Sequence, residues 1–148
     1  MERVSRTFKL RLSPAGMDML IAAHCRLIHT TRQLLPWGTT LHTAVAHLET
    51  LPADHLVSGL ERTMAAGLCG PEVHFLGAPT ALNEIAARIV TRVAGAVPGT
   101  SPPALQQIYI LALDTLVSAD PGAQRLAYGR IAARNGSARP EPIEPCER

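Results

Sequence analysis

The chain has 148 residues, of which 47% are hydrophobic, 18% charged and 3% aromatic, and its formal net charge is +2. This length fits one ordinary domain, and a core with so few aromatic residues favours packed helices over a large sheet. The sequence has no apolar run of the roughly 18 to 20 residues that span a bilayer, no signal-peptide core in its basic N-terminus and no cysteine pairing pattern, so we expect a cytoplasmic protein with free thiols.

The first predicted element is a strand of alternating polar and apolar residues that ends at Leu12. Alternation places the apolar side chains from Phe8 onward on one face and Thr7, Lys9 and Arg11 on the other. A single strand leaves its backbone groups unpaired, so it needs a partner elsewhere in the chain.

Basic residues are concentrated around this strand. Arg3, Arg6, Lys9 and Arg11 stand against Glu2 alone in the first twelve residues, which gives a local net charge of +3. Lys9 is the only lysine of the chain, and all other cationic side chains are arginines. Arginine binds phosphates and guanine edges through two parallel hydrogen bonds, so this composition leans towards nucleic acid.

Two helices are predicted after the strand. Ser13 and Pro14 are typical of a helix start, a capping hydroxyl followed by a proline in the first turn. The apolar spacing of this helix ends before Pro36. A short turn at residues 37–40 then leads to a second helix, predicted over about residues 40–51.

The remaining chain repeats this theme after a connecting segment. An amphipathic helix at about 54–68 joins a second short strand near residues 72–76, which is followed by two further apolar helices and a short terminal helix. The predicted organisation is one compact domain up to about residue 134, with a first strand-helix-helix repeat at 1–53, a connecting helix or linker at 54–71, a second repeat at 72–119, and a short helix and disordered tail at 120–148.

The two strand-helix-helix segments align with a constant shift of 65 residues and no gap. This shift pairs Phe8 with Val73 and Leu10 with Phe75, and it brings the segment 48–51 onto 113–116. Internal periods of this kind decide architecture, because each copy alone cannot bury its apolar face.

Two short strands and four helices have an evident solution, in which the strands pair antiparallel and the helices pack beneath them. We therefore predict a mostly helical, single-chain duplicated ribbon-helix-helix fold, a monomeric pseudo-dimer. Proteins that read DNA with a β-ribbon place one ribbon face in the groove, and helix N-termini bind phosphate. In this arrangement the outward set of the second strand is Glu72, His74 and Leu76, which makes that half less basic than the first. The candidate DNA-binding residues are Arg3, Arg6, Thr7, Lys9, Arg11, Thr39, Thr40, His74, Thr100 and Ser101.

From about Arg6 to Ala119 the chain resembles the tandem ribbon-helix-helix proteins of the VirC operon, which bind the overdrive sequence of T-DNA. The likeness rests on the repeated pattern and on the segment Leu-Asn-Glu-Ile-Ala-Ala-Arg at residues 82–88. The resemblance implies binding of double-stranded DNA near a transfer origin or border. It also implies a relaxase and a partitioning-type ATPase as partners in plasmid or T-DNA transfer.

Two other functions remain open at this point. A transcriptional repressor or antitoxin of the same class would give a footprint confined to a promoter. An all-helical adaptor would bind only protein and give no salt-dependent shift of DNA.

Enzymatic, metal and cofactor chemistry have little support in the sequence. The glycines at 95–101 lack the lysine of a phosphate-binding loop, and no nucleophile elbow or paired carboxylates are present. The pairs His24 with His29 and His42 with His47 are five residues apart, whereas helical metal ligands need a spacing of four. We expect structural or surface histidines and no cofactor. Cys25 is predicted to be a small core residue, and Trp37 a packing anchor.

Overall fold

The computed structural model describes residues 5–134, and its elements follow the predicted order. A strand is followed by three helices, and this order then occurs a second time. Within the described range, no helix is both long and apolar enough to cross a bilayer. The elements are β1 Ser5–Leu12, α1 Pro14–Thr31, α2 Trp37–Glu49, α3 Ala53–Ala65, β2 Glu72–Pro79, α4 Ala81–Ala96, α5 Leu105–Ser118 and α6 Pro121–Arg134.

The two strands form the predicted two-stranded antiparallel ribbon. Phe8 lies opposite Leu76 and Leu10 opposite His74. The ribbon and the mostly helical fold class are therefore confirmed, and β2 is longer than predicted because pairing continues to Pro79. An all-helical fold, which the adaptor hypothesis assumed, is wrong.

One face of the ribbon covers the helical core. Leu10 and Leu12 are fully buried, and the ring of Phe8 meets the ring of Tyr109 on α5 edge to face, with centroids 5.8 Å apart. Complete burial of an aliphatic side chain stabilises a fold by about 1.5 to 3 kcal/mol. The ribbon is thus held to the helices by its apolar face and leaves the opposite face uncovered.

The predicted start of α1 is confirmed in detail. The Ser13 hydroxyl accepts a hydrogen bond from the backbone N–H of Gly16 at 3.1 Å, and it donates to the carbonyl of Gly67 at 2.6 Å. One side chain therefore caps the helix and fixes the loop that leads into β2.

The buried positions of residues 72–134 follow those of residues 5–65 at regular separations. Leu10 and Leu76 are 66 positions apart in the strands, whereas Leu48 and Leu116 in the second helices are 68 positions apart. The constant shift of 65 is therefore wrong. The separation changes because the loop between α4 and α5 is longer than the loop between α1 and α2.

The third helices also correspond, which the sequence did not indicate. Leu56 of α3 and Gln124 of α6 are both buried and lie 68 positions apart. The helix predicted as a connection between repeats and the short terminal helix thus occupy matching places after their strands. The disordered tail predicted beyond residue 134 lies outside the described residues.

Two arginines bind the carbonyls at the C-terminal ends of α2 and α5. Arg92 of α4 donates to the carbonyls of Glu49 at 2.7 Å and Leu51 at 2.5 Å, at the end of α2. The last carbonyls of a helix have no partner within it, so a guanidinium is well suited to bind them. Arg26 of α1, which precedes Arg92 by 66 positions, binds the end of α5 in the same way through the carbonyls of Val117 and Ala119.

Several helix boundaries differ from prediction. Residues 37–40 form the first turn of α2 and not a separate turn, because Pro36 already serves as its N-cap. Cys25 is exposed and not in the core, whereas Trp37 does pack within the fold, against His24. Cys25 and Cys69 are free thiols as predicted, and Cys146 lies outside the described residues.

We expect Gly38→Ala to lower the free energy of unfolding by about 1 to 3 kcal/mol. A Cβ atom at Gly38 would overlap the carbonyl oxygen of Gly77, so α2 could not lie against β2 at its present distance. Urea unfolding measures the change. Gly129→Ala in α6 is the control, since open space surrounds that position and the substitution should stabilise the helix by about 0.5 to 1 kcal/mol. Equal stability of Gly38→Ala and the parent protein would contradict this packing.

Candidate nucleic-acid interface

The uncovered face of the ribbon consists of six exposed residues in three opposed pairs. The pairs are Thr7 with Gly77, Lys9 with Phe75, and Arg11 with Val73. Paired residues of antiparallel strands project on the same side. We call this set the exposed ribbon face.

The outward set predicted for β2 is wrong. Leu76 is buried and His74 is half-buried on the core side, because they lie opposite Phe8 and Leu10. The residues that face outward are Val73 and Phe75, which the shift of 65 had assigned to the core. A register error of one residue exchanges the two faces of a strand.

His74 consequently lies against the core and not on the outer surface. Its Nε2 atom is buried and has no hydrogen-bond partner among the described residues. With Met17, Leu20, Trp37 and Phe75, it lines a cavity of about 300 Å³ beside the ribbon. His74 therefore does not belong to the surface that would contact DNA.

The charge of the exposed ribbon face is wholly positive. Lys9 and Arg11 are its charged members, and Glu72 is not part of it, since Glu72 lies opposite Leu12 on the other side. Glu72 therefore places no negative charge on this face. The two strands differ in chemistry: β1 contributes hydrogen-bond donors, and β2 contributes apolar side chains and a glycine.

A glutamine fixes the β1 edge next to Arg11. The Gln106 side chain accepts from the Arg11 backbone N–H at 2.8 Å and donates to the Arg11 carbonyl at 3.0 Å. It thus completes the backbone hydrogen bonds of an edge strand as a neighbouring strand would. Gln106 belongs to the first turn of α5, so this contact holds the N-terminus of α5 beside the ribbon.

The N-terminus of α2 lies beside the other strand. Gly38, in the first turn of α2, is placed against the backbone of Gly77 and Ala78. Gly38 and Gln106 are 68 positions apart, and their contacts Arg11 and Gly77 are 66 positions apart. Each second helix therefore begins next to the strand of the other half.

The hydroxyl residues predicted to contact phosphate are distributed differently. Thr40 is fully buried and cannot reach a ligand, whereas Thr39 is half-buried in the first turn of α2. Thr100 and Ser101 precede α5 in an exposed loop, where the Thr100 hydroxyl donates to the Val97 carbonyl at 2.8 Å. Neither lies in the first turn of α5, which begins at residue 105.

Two of the basic candidates fall beyond what the structure describes. Arg3 lies outside the described residues. The Arg6 backbone is described as part of β1, but its side chain is not. In the ribbon register Arg6 is the partner of Ala78, which is a buried position.

Thr40 instead completes a buried contact beneath the start of α2. Its hydroxyl oxygen lies 2.7 Å from His24 Nδ1, and the His24 ring stacks on Trp37 with centroids 3.9 Å apart. Burial lowers the pKa of His24, because a charged imidazole is poorly solvated there. The Trp37 indole, which is 40% exposed, is thereby fixed at the edge of the ribbon.

The free energy of unfolding should fall as the pH drops below about 6.5, the ordinary pKa of histidine in the unfolded chain. The unfolded state binds the proton first, because the folded-state pKa of His24 is lower, and the decline ends once the pH is beneath that value. Urea unfolding from pH 5 to 8 measures this dependence.

His24→Gln should flatten the pH dependence of stability, because it removes the buried imidazole whose pKa is lowered. Some dependence will remain, since burial and, to a lesser degree, Arg130 also lower the pKa of His47, while Asp120 opposes them. Identical pH profiles of His24→Gln and the parent protein would contradict the assignment.

Comparisons with known proteins give no relative on which to base a function. No family model, no curated protein and no solved structure matches the chain at a significant level. The function is therefore inferred from the geometry of the ribbon and the helices beside it.

Proposed function

We propose that this protein binds double-stranded DNA, with the exposed ribbon face in the major groove, as an accessory protein of conjugative plasmid or T-DNA transfer. The observation that carries the proposal is a two-stranded ribbon whose uncovered side bears Lys9 and Arg11 and no acidic residue. It is not an enzyme in this proposal, and it needs no cofactor.

The shape of the ribbon supports this placement. The major groove of B-form DNA is about 12 Å wide and admits a two-stranded β-ribbon. Here the ribbon has no third strand among the described residues, and its core face is already occupied by helices. The ribbon can thus enter a groove without exposing the core.

The helix starts supply a second contact surface. The first turns of α2 and α5 lie beside β2 and β1 respectively, as the contacts of Gly38 and Gln106 show. Backbone N–H groups at a helix N-terminus favour phosphate, by direct hydrogen bonding and through the helix dipole. A duplex seated on the ribbon would bring its two backbones towards these turns. Thr39 remains a candidate there, and Thr100 and Ser101 become candidates only as exposed loop residues.

The repetition of contacts between the two halves of the chain also supports DNA binding by a ribbon-helix-helix. The paired arginine contacts, the helix starts and the buried positions repeat at separations of 66 and 68 residues. We infer that the chain is a duplicated ribbon-helix-helix, which acts as a single-chain counterpart of a dimer.

The transfer role, and a relaxase and a partitioning-type ATPase as partners, rest on the family resemblance alone. A repressor or antitoxin would use the same ribbon, and a footprint confined to a promoter would identify one.

We expect the double variant Lys9→Ala/Arg11→Ala to bind DNA more weakly and with a shallower salt dependence. Removing one cationic side chain from a phosphate should reduce the slope of log K against log salt by about 0.9. Removing one from a base edge should weaken binding by about 1 to 3 kcal/mol and relax sequence preference. Fluorescence anisotropy measures the salt slope on a labelled random-sequence duplex, and competition with duplexes of defined sequence measures the sequence preference.

Arg125→Ala is the matched control, because Arg125 is an exposed arginine on α6 and lies outside the ribbon. It should retain the affinity and nearly the whole salt slope of the parent protein. If the folded double variant bound DNA with unchanged affinity and slope, the ribbon would not be in the groove.

A further inference from the structure

We infer that Phe75, with Val73 beside it, reads the C5-methyl groups of thymine, so that the ribbon distinguishes thymine from bases without this methyl group. The inference rests on the proposed function, since it concerns the half of the ribbon that would enter the groove with Lys9 and Arg11.

The first step is the geometry of the face. Phe75 lies directly opposite Lys9, and Val73 directly opposite Arg11, within one two-stranded ribbon. Directly opposed residues have Cβ atoms about 4.5 to 5.5 Å apart. A surface that receives the two cations therefore receives the two apolar side chains as well.

The second step is that Phe75 is not needed for the core. Its side chain is 66% exposed, whereas the neighbours Leu76 and Ala78 on the same strand are buried. Large apolar side chains are usually buried, so one that stays exposed beside charged groups indicates a binding surface. With Val73, which is 38% exposed, it gives the β2 half of the face no hydrogen-bonding side chain.

The third step is the chemistry of the groove. Base edges in the major groove present acceptors, amino donors and one apolar group, the C5-methyl of thymine. Phenyl and isopropyl groups can neither donate nor accept, so a base edge that offers only polar atoms would be desolvated against them without compensation. Thymine methyl groups are the complementary surface for β2, as guanine O6 and N7 are for Lys9 and Arg11.

The size of the effect follows from the area of one methyl group. Burial of a CH₂-sized group is worth about 0.8 kcal/mol, which corresponds to an affinity change of about fourfold for each methyl contacted. Two contacts would give about sixteenfold if they were independent.

The experiment compares two duplexes of identical sequence, one with thymine and one in which deoxyuridine replaces every thymine. The duplex is the tightest binder selected from a random 20-base-pair pool, and binding is measured by anisotropy. The parent protein should bind the thymine duplex at least about fourfold more tightly. The double variant Val73→Ala/Phe75→Ala should bind both duplexes alike, Phe75→Ala alone should lose most of the preference, and Phe75→Leu should keep a preference for thymine.

Leu126→Ala is the control for removal of an exposed apolar side chain. Leu126 is 59% exposed on α6, outside the ribbon, and this variant should discriminate as the parent does. Because Phe75 is largely exposed, its variants should keep the parent melting temperature.

The outcomes separate the two proposals. Salt-dependent binding of both duplexes with equal affinity by the parent protein would overturn the thymine inference and leave DNA binding in place. No salt-dependent binding of either duplex would overturn DNA binding itself. A preference for thymine that Val73→Ala/Phe75→Ala retains in full would show that another residue reads the methyl group, which also overturns the inference.

Discussion

The pairing of β1 with β2 is the constraint on which the other features of this structure depend. Neither strand has another partner among the described residues, so each satisfies its backbone hydrogen bonds chiefly through the other. Pairing sets the register, the register sets which side chains meet the helices, and the remaining side chains become the exposed ribbon face. Because the side-chain period of a strand is two, the buried set Phe8, Leu10 and Leu12 leaves Lys9 and Arg11 no position but the outer face.

Local patterns were sufficient to predict the elements but not the face that β2 exposes. The helix start at Ser13 and Pro14 depends on neighbouring residues and was therefore predictable. Strand β2 has apolar residues at both parities, Val73 and Phe75 in one set and Leu76 and Ala78 in the other. Periodicity cannot choose between such sets, and packing of β2 against α2 decides. The unequal loops before α2 and α5 concealed the true separations in the same way.

Long-range polar contacts were beyond the reach of sequence patterns altogether. Arginine content indicated nucleic acid, yet Arg62 pairs with Asp114 and Arg88 with Glu49, both within the fold. Thr40 was expected at the start of the second helix as a contact to DNA, but α2 begins earlier, and the Thr40 side chain turns inward to His24. The sequence around each of these residues would also fit an exposed side chain that binds no other part of the protein. Partners distant in the chain, such as the carbonyls bound by Arg26, determine the actual one.

The reciprocal arginine contacts have a consequence for assembly. Arg26 in the first half binds the C-terminal carbonyls of α5, and Arg92 in the second half binds those of α2. Each half therefore depends on the other for hydrogen-bond donors to these carbonyls. Two such halves on separate chains would depend on protein concentration to meet. The covalent connection through residues 66–71 replaces that encounter by an intramolecular one at high effective concentration. The complete ribbon therefore does not depend on protein concentration, and its two strands can differ in chemistry, as the cationic β1 and the apolar β2 do.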